Sequence, residues 1–375
     1  MIYLDYAAST PPYDTVYPCM TQVATDVFGN PSSRHAAGTA ARRWLRQSRL
    51  TVAQLLGVQP QEIIFTSGGT ESNNTALFSL QNSPRKHIVI AATEHSSVLR
   101  AADRLERQGF SVSRVLPDPQ GRILPQDIAQ VLRRDTALLS VHAVNNETGV
   151  IQDIAAMAQL AHGVGAFFHC DAVQSFGHAA LPLHCADLLS LSGHKFGGPR
   201  GIGVLMVKEG ILGSPLLVGG HQELTRRAGT ENLPGIAGFA LAAERVCLEL
   251  SAEAIRQEKL AALLLSLLRQ SVPDLVLHSH SAPRVPGLLS LRFPGASGEE
   301  MQIRLNEVGI CVGVGAACSS ADAAPSHVLT AMGLTPKQAG QTLRVSLGRL
   351  TTEEDIRAAA NAMITVYELC KKQDP

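Results

Sequence analysis

Short apolar runs recur through the first half of the chain, at Ile63–Thr66, His87–Ala91, Ala137–Val144, Ala166–His169, Leu188–Ser192 and Gly203–Val207. Their length and composition predict β-strands. Helix-compatible segments lie between several of them: Glu71–Leu80 follows a strand directly, Ser97–Gln108 carries Leu99 and Leu105 on one face, and Asp153–His162 opens with an acid suited to an N-cap. This alternation predicts a mainly parallel sheet covered on both faces, with ligands at the carboxyl ends of its strands.

The pattern then changes. Gly220–Pro234 is rich in Gly, Arg and polar residues, and Gly235–Gln270, dense in Ala, Leu and Glu, predicts one long helix able to bridge two domains. Past Pro273 come a strand-like piece (Leu288–Phe293), a helix (Glu299–Val308), a small-residue loop (Gly313–Ala324) and a terminal helix (Thr352–Cys370). We read residues from about 256 onward as a smaller domain.

With 45% hydrophobic and 17% charged residues over 375 positions, the chain is a globular protein, not a disordered one. Its 32 basic and 32 acidic residues cancel, so no overall field favours nucleic acid or an anionic membrane. The longest apolar run, Leu260–Leu265, is far short of the roughly 18 residues of a membrane span. The beginning, MIYLDYAAST, lacks the basic and apolar regions of a secretory signal, so a cytoplasmic location is expected. Seven cysteines without a CxxC pair argue against a disulfide framework and a structural zinc site, and the histidines form no HExxH motif, so no metal is expected.

Several segments carry candidate chemistry. In IIFTSGGTESNN a strand passes through Gly68 and Gly69 into Thr70 and a helix start, a possible phosphate seat or an ordinary glycine turn. Asp171 and Gln174, in HCDAVQS, stand at a strand end, where a carboxylate either pairs with a protonated ring nitrogen or caps the next turn. Ser192, His194 and Lys195 sit between two apolar runs and before a Gly/Pro-rich turn. A lysine desolvated there can act as a Schiff-base nucleophile. Phosphate seat, ring-nitrogen carboxylate and lysine amine together are what pyridoxal 5′-phosphate requires.

Cys318 lies in VGVGAACSSADAAPSHV, a loop of small residues suited to a travelling nucleophile, although cysteine is more often a buried small hydrophobe. His95 can stack on a planar ring or exchange protons, or be an ordinary polar residue at a strand end. Asn145, Asn146 and Glu147 form either a binding segment or an Asx-rich turn. Arg344 can clamp a carboxylate or pair with a structural acid.

Taken in order, YLDYAAST, FGNPSSRHAAG, TSGGTESNN, TEHSSV, NNETGVIQD, HCDAVQS, SLSGHKFGGPRGIGVL, GGHQELTRRAGTENLPGIAG, GAACSSADAAPSHVLTAMG and LRVSLGRLTTEEDI resemble the cysteine desulfurases of the NifS/IscS-like branch, in the class V aminotransferase group. The resemblance implies the aspartate aminotransferase-like fold of pyridoxal-phosphate enzymes, α/β, with a seven-stranded, mainly parallel sheet and a smaller α+β domain. Residues 15–255 would form the large domain, and 1–14 with 256–375 the small one, carrying a mobile cysteine loop at about 313–326.

By the same resemblance Lys195 is the Schiff-base lysine, Asp171 holds the pyridine nitrogen protonated, Gln174 touches the ring hydroxyl and His95 stacks on the ring. Gly69, Thr70, Ser192 and His194 hold the phosphate, with Thr230 reaching it from the other subunit of a homodimer. Asn146, beside the cofactor, and Arg344 orient the substrate carboxylate, and Cys318 accepts the sulfur of L-cysteine as a persulfide. Pro325 follows Cys318 by seven positions, matching the long-loop branch whose cysteine reaches an acceptor protein directly, for iron–sulfur cluster assembly, tRNA thiolation or a related pathway. The approach VGVGAAC departs from the usual SGSAC and also resembles selenocysteine lyases of the same fold, which is the alternative activity.

Overall fold

The computed structural model describes residues 1–211, 213–315 and 325–371. In chain order the regular elements are β1 (Ile2–Tyr3), α1 (Val16–Asp26), α2 (Ala36–Leu56), β2 (Ile63–Thr66), α3 (Gly69–Phe78), β3 (His87–Ala91), α4 (Ser96–Arg107), β4 (Ser111–Val115), α5 (Pro125–Val131), β5 (Thr136–Ser140), α6 (Ile154–Gly163), β6 (Phe167–Asp171), β7 (Leu188–Ser192) and β8 (Gly203–Val207). They continue with α7 (Leu233–Ser271), β9 (Val276–Leu277), β10 (Leu288–Arg292), α8 (Gly298–Glu307), β11 (Ile310–Cys311), α9 (His327–Ala331), α10 (Pro336–Gly340), β12 (Thr342–Ser346) and α11 (Glu353–Lys371).

The central sheet runs β2-β8-β7-β6-β5-β3-β4. Only β8 is reversed, pairing antiparallel with β2 and β7, while every other pairing is parallel. Ten residues join β7 to β8, too few for the helical crossover that a parallel neighbour needs. Apolar cores lie on both faces, one under α1, α2, α6 and the first part of α7, the other under α3 and α4. This two-sided cover is why the inner strands read as unbroken apolar runs instead of alternating ones.

The expected strand Ala137–Val144 is shorter by assignment, ending at Ser140, yet the amides of Val141 and Ala143 still donate to His169 and Asp171 carbonyls (3.1 and 2.9 Å). That extension keeps His142 on the wall of the site. The sequence reading did not anticipate α1, α2 or β4. β4 escapes because its exposed Ser111 and Arg114 dilute the apolar pattern at the sheet edge.

A third core joins Leu4, the second part of α7, α8, α11 and the antiparallel sheet β12-β10-β9. Helix α7 starts on the Asn232 side chain, which accepts the Gly235 amide, and has Pro234 in its first turn. Its Phe239 belongs to the first core and its Leu264 to the third, so one rigid rod connects them. Among the described residues no helix is long and apolar enough to cross a membrane.

Candidate active site

The carboxyl ends of β2, β3, β5, β6 and β7 open on one side of the sheet into a cavity of about 250 Å³. Its walls include Gly69, Thr70, His95, Asn146, Asp171, Gln174, Ser192, His194, Lys195 and Arg344. Ten of the twelve residues to which the resemblance gives a role are thus brought together. Thr230 is exposed and does not line this cavity. Cys318 lies outside the described residues.

Lys195 ends the short turn that leaves β7. Its ammonium donates to the carbonyls of Ala7 (2.6 Å) and Ala8 (3.2 Å), so the N-terminal segment forms the opposite wall. The Lys195 carbonyl is fixed by Thr10 Oγ1 (2.8 Å) and by His178 Nε2 (3.1 Å), which donate to it. The chain then doubles back, with the Gly198 amide on the Gly193 carbonyl (2.8 Å) and Gly197 at φ +87°, a conformation that favours glycine. This explains the Gly-rich string after the lysine.

At the other end of the cavity, helix α3 begins at Gly69 and Thr70, where the first amides have no intrahelical acceptor. A Cβ on Gly69 would lie 2.8 Å from Val173 Cγ2, so the bare backbone there faces the cavity closely. Ser192 and His194 stand opposite, and burial, with the nearby charges of Lys195 and Arg200, lowers the His194 pKa to about 4. A neutral imidazole and a hydroxyl beside a helix N-terminus make a neutral-to-positive seat for a phosphate.

Asp171, at the end of β6, is 6% exposed and accepts the Val173 amide on Oδ1 (2.9 Å) and Asn73 Nδ2 on Oδ2 (2.7 Å). Each oxygen keeps lone-pair capacity for a further donor. His95 caps α4, its Nδ1 accepting from the Ser97 amide (3.1 Å) and lying 2.7 Å from Ser97 Oγ. Burial first, then Lys195 and His327, push its pKa down, while Asp171 pulls it up. Behind it, Glu94 is fully buried 3.8 Å from His142 Nδ1, and burial raises its pKa.

Arg344, 3% exposed on β12, donates to Asp5 Oδ1 (2.7 Å) and to the Asn146 carbonyl (3.2 Å). It therefore pairs with an acid and still faces the cavity. The Asx-turn reading also holds in part: Asn145 Oδ1 accepts the Glu147 and Thr148 amides (3.0 Å each), and that turn sets Asn146 on the wall. Glu147 accepts from Ser326, the N-cap of α9.

Sequence reasoning did not single out Asn73, Ser97, His142, Ala7 or Ala8. Asn73 had a usable signal, since it lies four residues beyond Gly69 and so on the same helix face. The others arrive through tertiary placement.

The aminotransferase class-V family model matches residues 2–358. A cysteine desulfurase IscS of Dictyoglomus turgidum is 37% identical over 382 aligned positions, covering all of this chain and 96% of that protein. Among solved structures, a NifS-like protein superposes with a TM-score of 0.91 at 33% identity, covering 98% of this chain and 99% of that one. The structure described as SspA in complex with cysteine gives a TM-score of 0.80 at 33% identity, with 92% and 99% covered. Matched end to end by a family model and by relatives of this kind, the chain belongs to the aminotransferase class-V family, in its group of IscS/NifS-type cysteine desulfurases.

Proposed function

We propose that this protein is a pyridoxal 5′-phosphate-dependent cysteine desulfurase, converting L-cysteine to L-alanine and passing the sulfur to Cys318 as a persulfide for an acceptor protein. The observation that carries this reading is the meeting of Lys195, Asp171, the Gly69–Thr70 seat and Arg344 in one cavity. The residues fit the cofactor. Gln174 Oε1 is buried on the wall with no hydrogen-bond partner among the described residues, and a Cβ on Gly69 would meet Val173 Cγ2 at 2.8 Å.

Gly69, Thr70, Ser192 and His194 would hold the phosphate, Asp171 the ring nitrogen and Gln174 the ring hydroxyl, with His95 on the ring face and Asn146 beside it. Pyridoxal 5′-phosphate, when bound, supplies a conjugated ring that accepts the electron pair left at the substrate Cα. Lys195 takes the Cα proton, its amine lying on the cavity wall against the Ala7 and Ala8 carbonyls. Arg344, with Asn146, binds the substrate carboxylate and so fixes which Cα bond faces Lys195. Cys318 as thiolate attacks the substrate sulfur: an S–S bond forms, the Cβ–S bond breaks, and the bonding pair stays with the carbon skeleton, which takes up protons and leaves as alanine.

Thr230 would complete the phosphate site of the neighbouring subunit in a homodimer. We take residues 15–255 as the large domain and 1–14 with 256–375 as the small one, a division supported by the separate apolar cores. The deciding experiment incubates the holoenzyme with L-cysteine and reductant and measures alanine and sulfide. Lys195→Ala and Cys318→Ala should each abolish both products. Cysteine turnover retained by Cys318→Ala overturns the persulfide route, and alanine released only from selenocysteine assigns the protein as a selenocysteine lyase instead.

A further inference from the structure

A single amide connects the two groups placed against the cofactor ring. Asn73, 1% exposed on α3, sets its Nδ2 2.7 Å from Asp171 Oδ2 and 2.8 Å from Ser97 Oγ. Both amide hydrogens are thereby used. The group has one orientation only, because turning it over would press its carbonyl oxygen against the Asp171 carboxylate. Asn73 Oδ1 is buried and has no hydrogen-bond partner among the described residues, a loss of about 1–3 kcal/mol tolerated for the two donations.

The direction of the next bond follows. Ser97 Oγ receives a hydrogen from Asn73, so its own hydrogen points to His95 Nδ1, 2.7 Å away. The Ser97 amide donates to the same nitrogen at 3.1 Å. Two donors on Nδ1 leave no place for a hydrogen there, and neutral His95 carries it on Nε2.

We propose that Asn73 and Ser97 are positioning residues that lock His95 as the Nε2–H tautomer and hold the Asp171 carboxylate through the same amide. His95 then offers a hydrogen-bond donor from Nε2, and the base of the reaction is Lys195. What His95 offers it to rests on the desulfurase reading, whereas the tautomer does not.

Among the described residues, the charged and titratable groups facing His95, besides Ser97, are Asp171 from β6, Lys195 from the turn after β7 and His327 from α9. Of these only Asp171 favours the imidazolium. The Ser97 hydroxyl adds a donor that opposes protonation at Nδ1, so Ser97→Ala should raise the proton affinity of His95. The acid limb of kcat/KM for alanine release should move up by about one pH unit, an approximately tenfold loss below the limb relative to the plateau. Ser97→Thr, which keeps the hydroxyl, should restore the profile.

The direct readout is the ring ¹⁵N spectrum of histidine-labelled holoenzyme, with His95 assigned by its loss in His95→Gln. Nδ1 should appear unprotonated in the wild type and in Ser97→Thr, and partly protonated in Ser97→Ala, where only the longer bond from the residue 97 amide (3.1 Å) still opposes a hydrogen on that nitrogen. A wild-type Nδ1 that carries the hydrogen, or a Ser97→Ala protein with unchanged tautomer and unchanged acid limb, overturns the proposal. Absence of alanine production by wild-type enzyme sinks the desulfurase reading instead, and leaves the tautomer measurable by the spectrum.

Discussion

Replacing Arg344 by Lys separates charge from geometry at the end of the cavity that would hold the substrate carboxylate. The guanidinium has five N–H donors. One on Nη2 is used by Asp5 (2.7 Å) and one on Nη1 by the Asn146 carbonyl (3.2 Å), leaving one on each terminal nitrogen and the Nε–H, which has no partner among the described residues. An adjacent pair of these can grip a carboxylate through both oxygens. A lysine keeps the charge but must divide its donors between Asp5 and the substrate, so at least one charge-assisted bond is lost. Such a bond contributes about 1.5–3 kcal/mol, which corresponds to a roughly ten- to 150-fold fall in kcat/KM for L-cysteine.

The space for the guanidinium comes from Gly313, where a Cβ would lie 2.9 Å from Arg344 Nη2 and 2.9 Å from Asp5 Oδ1. Gly313→Ala should therefore displace the same group without altering charge, and weaken cysteine in the same direction. Steady-state alanine release measures both variants, with the cofactor absorbance as a control that the ring site is intact. Unchanged kcat/KM in Arg344→Lys, with cofactor bound, would refute the assignment of Arg344 to the substrate and leave it as the structural partner of Asp5.

Other consequences are open to test. Gly69→Ala should weaken cofactor binding by about five- to 150-fold, because the new methyl meets Val173 Cγ2 at 2.8 Å and overpacking of this kind costs about 1–3 kcal/mol; titration of the apoprotein by absorbance measures it. Glu223→Ala should destabilise the fold by about 2–4 kcal/mol in denaturant titration. It strands Arg49, whose partner carboxylate lies at 2.6 Å with 2% of its side chain exposed, while releasing the left-handed backbone at Glu223, Leu224 and Thr225. His169 is fully buried between Ser140 and Ser190, and burial lowers its pKa to about 4. The unfolded chain takes up this proton first, so the stability contributed by neutral His169 is complete above about pH 6.5 and is lost as the pH falls toward 4, on the order of 3 kcal/mol. His169→Gln should flatten that part of the stability profile, and an equally steep acid loss in the variant would assign the effect elsewhere.

How much of this was legible in the sequence depends on whether a residue's role is local. The runs at Ile63–Thr66, His87–Ala91, Leu188–Ser192 and Gly203–Val207 became strands with those bounds, because continuous burial leaves a continuous apolar signature. The site residues at strand ends were legible for a related reason: in such a sheet the carboxyl ends converge, so a lysine, a carboxylate and a glycine turn following separate strands share one edge. Asn73, Ser97 and His142 were not legible, although two of them stood inside quoted motifs. Their identities are unremarkable for a helix face, a helix start and a strand, and only the packing of α3 against α4 turns an amide and a hydroxyl into a link between Asp171 and His95.

The same distinction explains why the two ends of the chain matter to a site built on the central sheet. Asp5, Ala7 and Ala8 precede the first helix, and Arg344 lies on β12, yet Asp5 bridges to Ser346 and pairs with Arg344, while Ala7 and Ala8 accept from Lys195. The N-terminal segment thus touches the proposed base and the proposed carboxylate clamp at once. A displacement of Ala7 relative to Asp5 would alter the distance between those two groups, so on the proposed roles the alignment of substrate Cα with Lys195 would depend on how the third core seats against the sheet. On the proposed roles, catalytic geometry is set where the N-terminal segment and β12 meet the central sheet, and substitutions at that junction should change kcat even when neither Lys195 nor Arg344 is touched.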